Sequence, residues 1–323
     1  MPARIYPPTP RHLRRLAAAL QRGELVAIPT ETVYGLAAHA LDAKACRAIF
    51  RAKGRPANDP LIVHVLDLAH ATQLAEFSDD ACRVARRFWP GPLTIVLPKK
   101  ACVPDIVTSG GDTVALRAPA HPLARKLLQL ARVPLAAPSA NPFSYISPTS
   151  ALHVQQGLGR RIKYILDGGE STVGVESTVL DLTNPAKPVI LRPGAIDAKS
   201  LARVLRRPIG TLKRAVKARG VLRAPGLLDR HYSPRTPLQL TTNTVKATTT
   251  RAVIFLRKPA GPTSAGTYWL SQRGSLAEIA HNLYRVLREA DAAGHREILI
   301  EAVPPTAGGL AAAINDRIRR AAA

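Results

Sequence analysis

Short apolar runs that end at Pro, Gly or a polar turn recur along most of this chain, and they alternate with stretches of helical periodicity. This alternation constrains the fold more than any other feature, because it demands a sheet with helices packed against it. Leu25 to Ile28 runs into Pro29, Leu61 to Val65 follows Pro60, and Leu93 to Leu97 follows Pro90-Gly91-Pro92. Val114 to Arg117, Leu135 to Ala137, Tyr164 to Leu166, Thr178 to Leu182 and Val189 to Leu191 have the same character. Helices are expected between them, near residues 43–52, 68–76, 79–88, 121–131, 149–156 and 198–206. A first helix is marked at both ends: Thr9 precedes Pro10, Leu13, Leu16, Ala17 and Leu20 share one face, and Gly23 follows. The expectation is one α/β domain on a large twisted mixed sheet with flanking helices, its strand-end loops available for a site.

Beyond Arg207 the pattern breaks at a Lys/Arg-rich stretch containing Pro225-Gly226, and a second unit begins. Strands at 252–256, 267–270 and 298–302, a helix from Ser275 and a final helix suggest a smaller α/β module of Rossmann-like type. Ser275 and Glu278 stand at capping-box spacing. The expected organisation is therefore residues 1–207 as a catalytic domain, 208–235 as a basic linker able to close over the site, and 236–323 as the second domain.

Composition narrows the class. Of 323 residues 46% are hydrophobic and 21% charged, which excludes wholesale disorder and a coiled coil. Cys46, Cys82 and Cys102 are odd in number and far apart, so neither a disulfide framework nor a zinc ribbon is expected. No apolar run approaches a membrane span, and Arg14 and Arg15 interrupt the N-terminal one, so a cytoplasmic protein without a membrane partner is expected. The formal charge is +24, and residues 199–235 alone carry 11 cations against one carboxylate. Such a stretch either contacts phosphate, of a nucleotide or of RNA, or is a solvated linker.

The familiar phosphate loops G-x-x-x-x-G-K-[ST] and G-x-G-x-x-G are missing, as are H-E-x-x-H and G-x-S-x-G. Any nucleotide site must be built otherwise. Polar residues on otherwise buried or tightly turned segments are the candidates. Thr30 and Thr32 follow a strand directly, where they either orient a ligand or cap a turn. Lys53 and Arg55 flank Gly54 at a helix end, where they either meet phosphates or complement the helix dipole. Ser139 and Asn141 stand in the turn Pro138 to Pro142, and bind a ligand or their own backbone. His64 and Arg117 lie in apolar strands; the arginine needs an anion, from a ligand or from an internal carboxylate.

Six segments change the weight of these alternatives. Pro29-Thr-Glu-Thr-Val-Tyr-Gly35, Lys53-Gly-Arg-Pro56 with Pro60-Leu-Ile-Val-His64, and Phe88-Trp-Pro-Gly-Pro-Leu-Thr94 come first. Ala137-Pro-Ser-Ala-Asn141, Gly174-Val-Glu-Ser-Thr178 and Leu191-Arg-Pro-Gly194 follow. In this order they resemble the YrdC-domain family over about residues 10–205. Ala224-Pro-Gly226 and His231-Tyr-Ser-Pro234, with a second domain behind them, resemble the longer, two-domain form that makes threonylcarbamoyl-AMP.

The resemblance implies an enzyme that joins L-threonine, bicarbonate and ATP, accompanied by Mg2+, and releases pyrophosphate. A separate tRNA threonylcarbamoyl transferase then modifies the adenosine 3′ of the anticodon, and weak contact with tRNA fits the charge. It implies that Thr32, His64, Arg117, Ala137 and Ser177 bind L-threonine, and that Lys53 and Arg55 act in catalysis by neutralising phosphate. Lys53, Arg55, Asp59, Thr113, Ser139, Asn141, Ser147, Arg192, His231 and Tyr232 would contact ATP. Three departures stand out: Asp59 replaces the family's usual Asn, Pro142 to Ile146 replaces a Leu-Ser-Gly loop, and Leu227-Leu-Asp229 is atypical. The rivals are an RNA-binding protein without synthase activity, and a carbamoyl-adenylate enzyme of the hydrogenase-maturation kind.

Overall fold

The computed structural model describes residues 2–212, 217–218, 221–222, 226, 230–241, 245–304 and 308–323. Among them the apolar runs assemble edge to edge into one eleven-stranded sheet. Its strands are β1 (Arg4–Tyr6), β2 (Val26–Ile28), β3 (Gly35–His39), β4 (Ile62–His64), β5 (Leu93–Pro98) and β6 (Thr113–Arg117). They continue with β7 (Leu135–Ala136), β8 (Tyr164–Leu166), β9 (Thr178–Asp181), β10 (Val189–Arg192) and β11 (Gly210–Thr211). The order is β1-β8-β2-β3-β7-β4-β6-β5-β9-β10-β11. It is mixed: β4 runs parallel to β6 and β5 to β9, whereas β3 and β4 both run antiparallel to β7.

Period-two alternation divides the side chains between the two faces. Leu36 and Ala38 of β3 enter the core beneath the helix Ala43–Lys53, which also takes in the helix Asp79–Phe88. Ala37 between them faces the helices Pro10–Gln21 and Pro122–Ala131, with Leu16, Leu20, Leu127 and Leu128. Leu16 is fully buried, which at ordinary transfer energies stabilises the fold by about 1.5–3 kcal/mol. Thr9 caps the first helix through the amide of His12, with Pro10 in its first turn, as its sequence requires.

After the short pair β12 (Lys217–Ala218) and β13 (Val221–Leu222), a second sheet is built from four strands. These are β14 (Leu238–Thr241), β15 (Arg251–Arg257), β16 (Thr267–Ser271) and β17 (Glu297–Glu301), all parallel, in the order β14-β17-β15-β16. The helices Leu276–Ala292 and Gly309–Ala321 pack on it. Ser275 caps the first of these through the amide of Glu278, but only one arm of the capping box forms. The Glu278 carboxylate turns instead to Ser271 Oγ at 2.6 Å and to the amide of Gln272.

The two sheets do not have wholly separate cores. Val33, Ile146, Val175 and Tyr232 pack into the cluster formed by Ile279, Leu283, Tyr284, Leu287 and Ile314 of the second unit. Among the described residues no helix is long and apolar enough to cross a membrane.

Candidate active site

The turn leaving β2 shows how its two threonines divide their work. Thr30 Oγ1 accepts from the amides of Thr32 and Val33 and lies 2.9 Å from Thr32 Oγ1, so Thr30 closes the turn. Thr32 is thereby presented to the sheet. Its hydroxyl accepts from Arg117 Nη1 at 2.9 Å, and Arg117 Nη2 stands 2.7 Å from the Glu31 carboxylate. Arg117 Nε also donates to Gly91 O, at 3.3 Å. The internal Glu31 is thus an anion that meets this strand arginine. Burial works to raise the Glu31 pKa, but Arg117 together with the backbone amides of Ala120 and Glu31 more than offsets it, so the carboxyl is held below its usual range and stays ionised.

Register then fixes the neighbours. His64 on β4 pairs with Arg117 on β6 and Ile62 with Ala115, so these four share one face of the sheet. His64 is buried, and its Nδ1 has no hydrogen-bond partner among the described residues. Burial first, and then the nearby Arg117 charge, push its pKa down to about 3, so the imidazole is neutral at physiological pH. Thr113 shares this strand, but at the opposite end from Arg117.

Gly54 ends the helix Ala43–Lys53 in the left-handed region, at φ 65°, and turns the chain so that the residues on both sides of it point inward. Lys53 is buried, not a surface complement to the helix dipole; its Nζ donates to Ser139 O and Asn141 O, each at 2.6 Å. Arg55 Nε donates to Asp59 O and Nη2 to Pro60 O, and Nη2 lies 2.9 Å from an Asp59 carboxylate oxygen. The charge that distinguishes Asp59 from Asn is thus met by Arg55. Asn141 donates to Pro142 O and Tyr145 O, which shapes the divergent 142–146 loop from within.

The strand β9 enters from a third side. Ser177 Oγ lies 2.7 Å from Thr94 Oγ1 and accepts from Arg192 Nη2 at 3.2 Å, while Arg192 Nε donates to Ser177 O. Ser147 Oγ donates to the buried Glu176 carboxylate at 2.6 Å. His231 and Tyr232 close the fourth side, their rings in edge contact at 4.1 Å, with Tyr232 at φ 66°. Burial pushes the His231 pKa down to about 3 and that of Tyr232 up to about 12, so both are neutral.

One cavity results. Its walls include Thr32, His64, Arg117, Ala137 and Ser177 together with Arg55, Ser139, Arg192, His231 and Tyr232. Lys53, Asp59, Thr113, Asn141 and Ser147 are not in its lining: all but Thr113 are buried behind it, where they hold lining residues or their loops. Gly226, His231 and Tyr232 from the basic linker do line it. Residues 213–216, 219–220, 223–225 and 227–229 of the expected lid, including the atypical Leu227 to Asp229, lie outside the described residues. Sequence reasoning assigned no role to Glu31, Thr94 or Glu176, although all three stand inside the quoted segments; what was missing was their partners. Among the described residues no cluster of three His, Cys, Asp or Glu side chains could hold a metal ion.

Comparison with known proteins agrees with this architecture. A family model described as "Telomere recombination", covering the Sua5, YciO and YrdC proteins, matches residues 18–194. A second, described as "Threonylcarbamoyl-AMP synthase, C-terminal domain", matches residues 196–323. The threonylcarbamoyl-AMP synthase of Pyrococcus abyssi is 42% identical over 324 residues, which span 96% of this chain and 93% of that one. The chain belongs to this family. The Bacillus subtilis threonylcarbamoyl-AMP synthase is 38% identical over 96% of this chain and 92% of its own. The crystal structure of P. abyssi Sua5 complexed with L-threonine superposes with a TM-score of 0.89 at 39% identity, covering 99% of this chain and 98% of that one. As a threonylcarbamoyl-AMP synthase family member with both domains, the chain is an enzyme of the nucleotidyltransferase type.

Proposed function

We propose that this chain makes threonylcarbamoyl-AMP from L-threonine, bicarbonate and ATP, with release of pyrophosphate, for the modification of tRNA. The observation that carries this reading is the meeting of two kinds of wall in one cavity. Thr32, His64 and Ser177 offer small neutral polar groups, and Arg55 and Arg192 offer cations. The first kind suits an amino acid with a hydroxyl, the second a triphosphate.

In this reading the threonine amine attacks the carbon of bicarbonate, water leaves, and an oxygen of the resulting carbamate attacks the α-phosphate to expel pyrophosphate. The walls supply position and charge, which is where acceleration of such reactions largely comes from. Neutral His64 adds no charge beside Arg117 and keeps Nδ1 free for a substrate atom. Lys53 acts one step back, by fixing the Ser139 and Asn141 carbonyls. The buried carboxylates around the cavity, Glu31, Asp59 and Glu176, are each paired with an arginine, so Mg2+ enters with the triphosphate as part of the substrate. His231 and Tyr232 close one side of the cavity over the bound substrates. We assign the enzyme to the cytoplasm, where a transferase passes its product to tRNA.

The test is pyrophosphate release from MgATP with threonine and bicarbonate each present or omitted, beside Thr32→Val and Ser177→Ala. Release that requires both substrates, with a raised threonine requirement in the variants, supports the reading. Release indifferent to either substrate refutes it. Serine should be used less well, by the roughly 1–3 kcal/mol that one methyl is worth in a fitted pocket.

A further inference from the structure

Arg317 lies on the last helix, outside every motif that marks the site, yet it is one of the largest fully buried side chains in the molecule. Its guanidinium reaches three separate walls of the cavity. Nε donates to the Glu176 carboxylate at 2.9 Å, and Nη2 to the Glu176 main-chain oxygen at 3.3 Å, in the segment that carries Ser177. Nη1 donates to Pro193 O at 2.8 Å, in the turn that carries Arg192. Its Cζ lies over the Tyr232 ring, 5.5 Å from the ring centre. The same helix continues the grip one residue group further on, where Arg320 O accepts the amide of His231 at 3.0 Å.

Its partners are equally committed. The Glu176 carboxylate has one oxygen on Ser147 and the other on Arg317 and on Tyr284 Oη at 2.9 Å. Asp316 accepts from Arg317 Nη1 at 2.8 Å and from Arg320 Nε at 3.0 Å, so the guanidinium is held from behind as well. A fork of fixed donors is suited to this, because its five N–H groups can serve all four of these acceptors at once.

We propose that Arg317 is a positioning residue for the synthase reaction: one side chain of the second domain sets Ser177, Arg192 and Tyr232 relative to each other. The proposal rests on the reading above and deepens it. The second domain is then part of the active site's frame, not only an attachment behind a lid.

The test compares Arg317→Met, Arg317→Lys, Glu176→Gln and the Arg317→Met/Glu176→Gln pair in the full-length protein. It follows kcat, KM, melting temperature, and ATP and L-threonine affinities by calorimetry. Displaced walls should lower kcat/KM by about 100-fold in Arg317→Met, the order expected for a misplacement of about 1 Å. Arg317→Lys keeps the charge but not the fork, so it should fold, melting somewhat below wild type, and yet remain slow, with kcat lowered and both calorimetric affinities weakened. The double variant should be no slower than Arg317→Met alone, because both changes break one unit. Wild-type kcat and affinities in Arg317→Lys overturn the proposal, including where Arg317→Met fails to fold. So does a double variant whose losses are additive. Calorimetric affinity reads the walls whatever the reaction is, so a failure of the proposed function in the wild-type assay is separate from a failure here.

Discussion

Two buried neutral histidines make an acid-sensitive fold. His64 and His231 are buried, at 3% and 5% exposure, and both have pKa values pushed from 6.5 down to about 3. The unfolded chain takes up protons at these positions from about pH 6.5 downward, whereas the folded chain does not until pH 3. Their contribution is therefore complete above pH 6.5 and declines as pH falls toward 3. At pH 5 each site costs about 2 kcal/mol relative to pH 8, so the pair costs about 4 kcal/mol. That is a large part of the roughly 5–15 kcal/mol that a typical domain possesses. The Glu176 carboxyl adds nothing in this window. It is held at about 2, chiefly by Arg317 and Arg192 working against burial, and its contribution fades only below about pH 4.5. The assay is urea unfolding followed at pH 8, 6.5 and 5 in wild type and in His64→Asn. His153, which burial pushes down to about 4, works in the same direction, so the expected outcome is a falling midpoint in wild type and a smaller fall in the variant. Equal midpoints at pH 8 and pH 5, or an unchanged slope in His64→Asn, would refute the reasoning.

Three further outcomes follow from particular contacts. Lys53→Met strands the Ser139 and Asn141 carbonyls, and should lower stability by about 1–3 kcal/mol and raise the KM for ATP; a variant of unchanged melting temperature that loses only ATP affinity would mean that Lys53 meets phosphate directly. Asp59→Asn removes the negative charge 2.9 Å from Arg55 and should tighten ATP binding severalfold, which titration calorimetry reads directly. Gly174→Ala should be among the most damaging single changes. Its backbone is at φ 80°, and a Cβ would stand 2.3 Å from Ala280 O, so thermal unfolding should show a loss of at least about 2 kcal/mol.

Elements with strong local signals were legible. The helix from Pro10 carries its own cap and stripe, and the strands rich in branched residues, such as Leu93 to Leu97 and Thr178 to Leu182, stand within a residue or two of where periodicity puts them. The strand β3 was not. Gly35-Leu-Ala-Ala-His39 has no β-branched residue, and its extended form comes from pairing with β2 and β7 on either side. The same holds for Arg4–Tyr6, whose ladder partner Tyr164–Leu166 lies far along the chain. For the site, the segments were legible but the pairings across it were not. Nothing in sequence spacing connects Glu31 to Arg117, Thr94 to Ser177 or Glu176 to Arg317, since each joins separate segments of the fold. Deletion of residues 208–323, which the linker's position first suggests as a test of lid function, would not isolate that function. It would also strip Arg317 from Glu176.

Val33, Ile146 and Val175 stand on loops of the first domain, yet their apolar surface is buried in the second domain's cluster. The boundary in sequence is thus not a boundary in stability. Calorimetry of such a molecule should record a single heat-absorption peak in place of two, because neither half can melt without wetting the other's interior. The join is equally a restriction on change. An insertion in the loop at 142–146 or at 173–175 is felt in the far domain, and a second domain taken from a relative must bring matching loop residues with it.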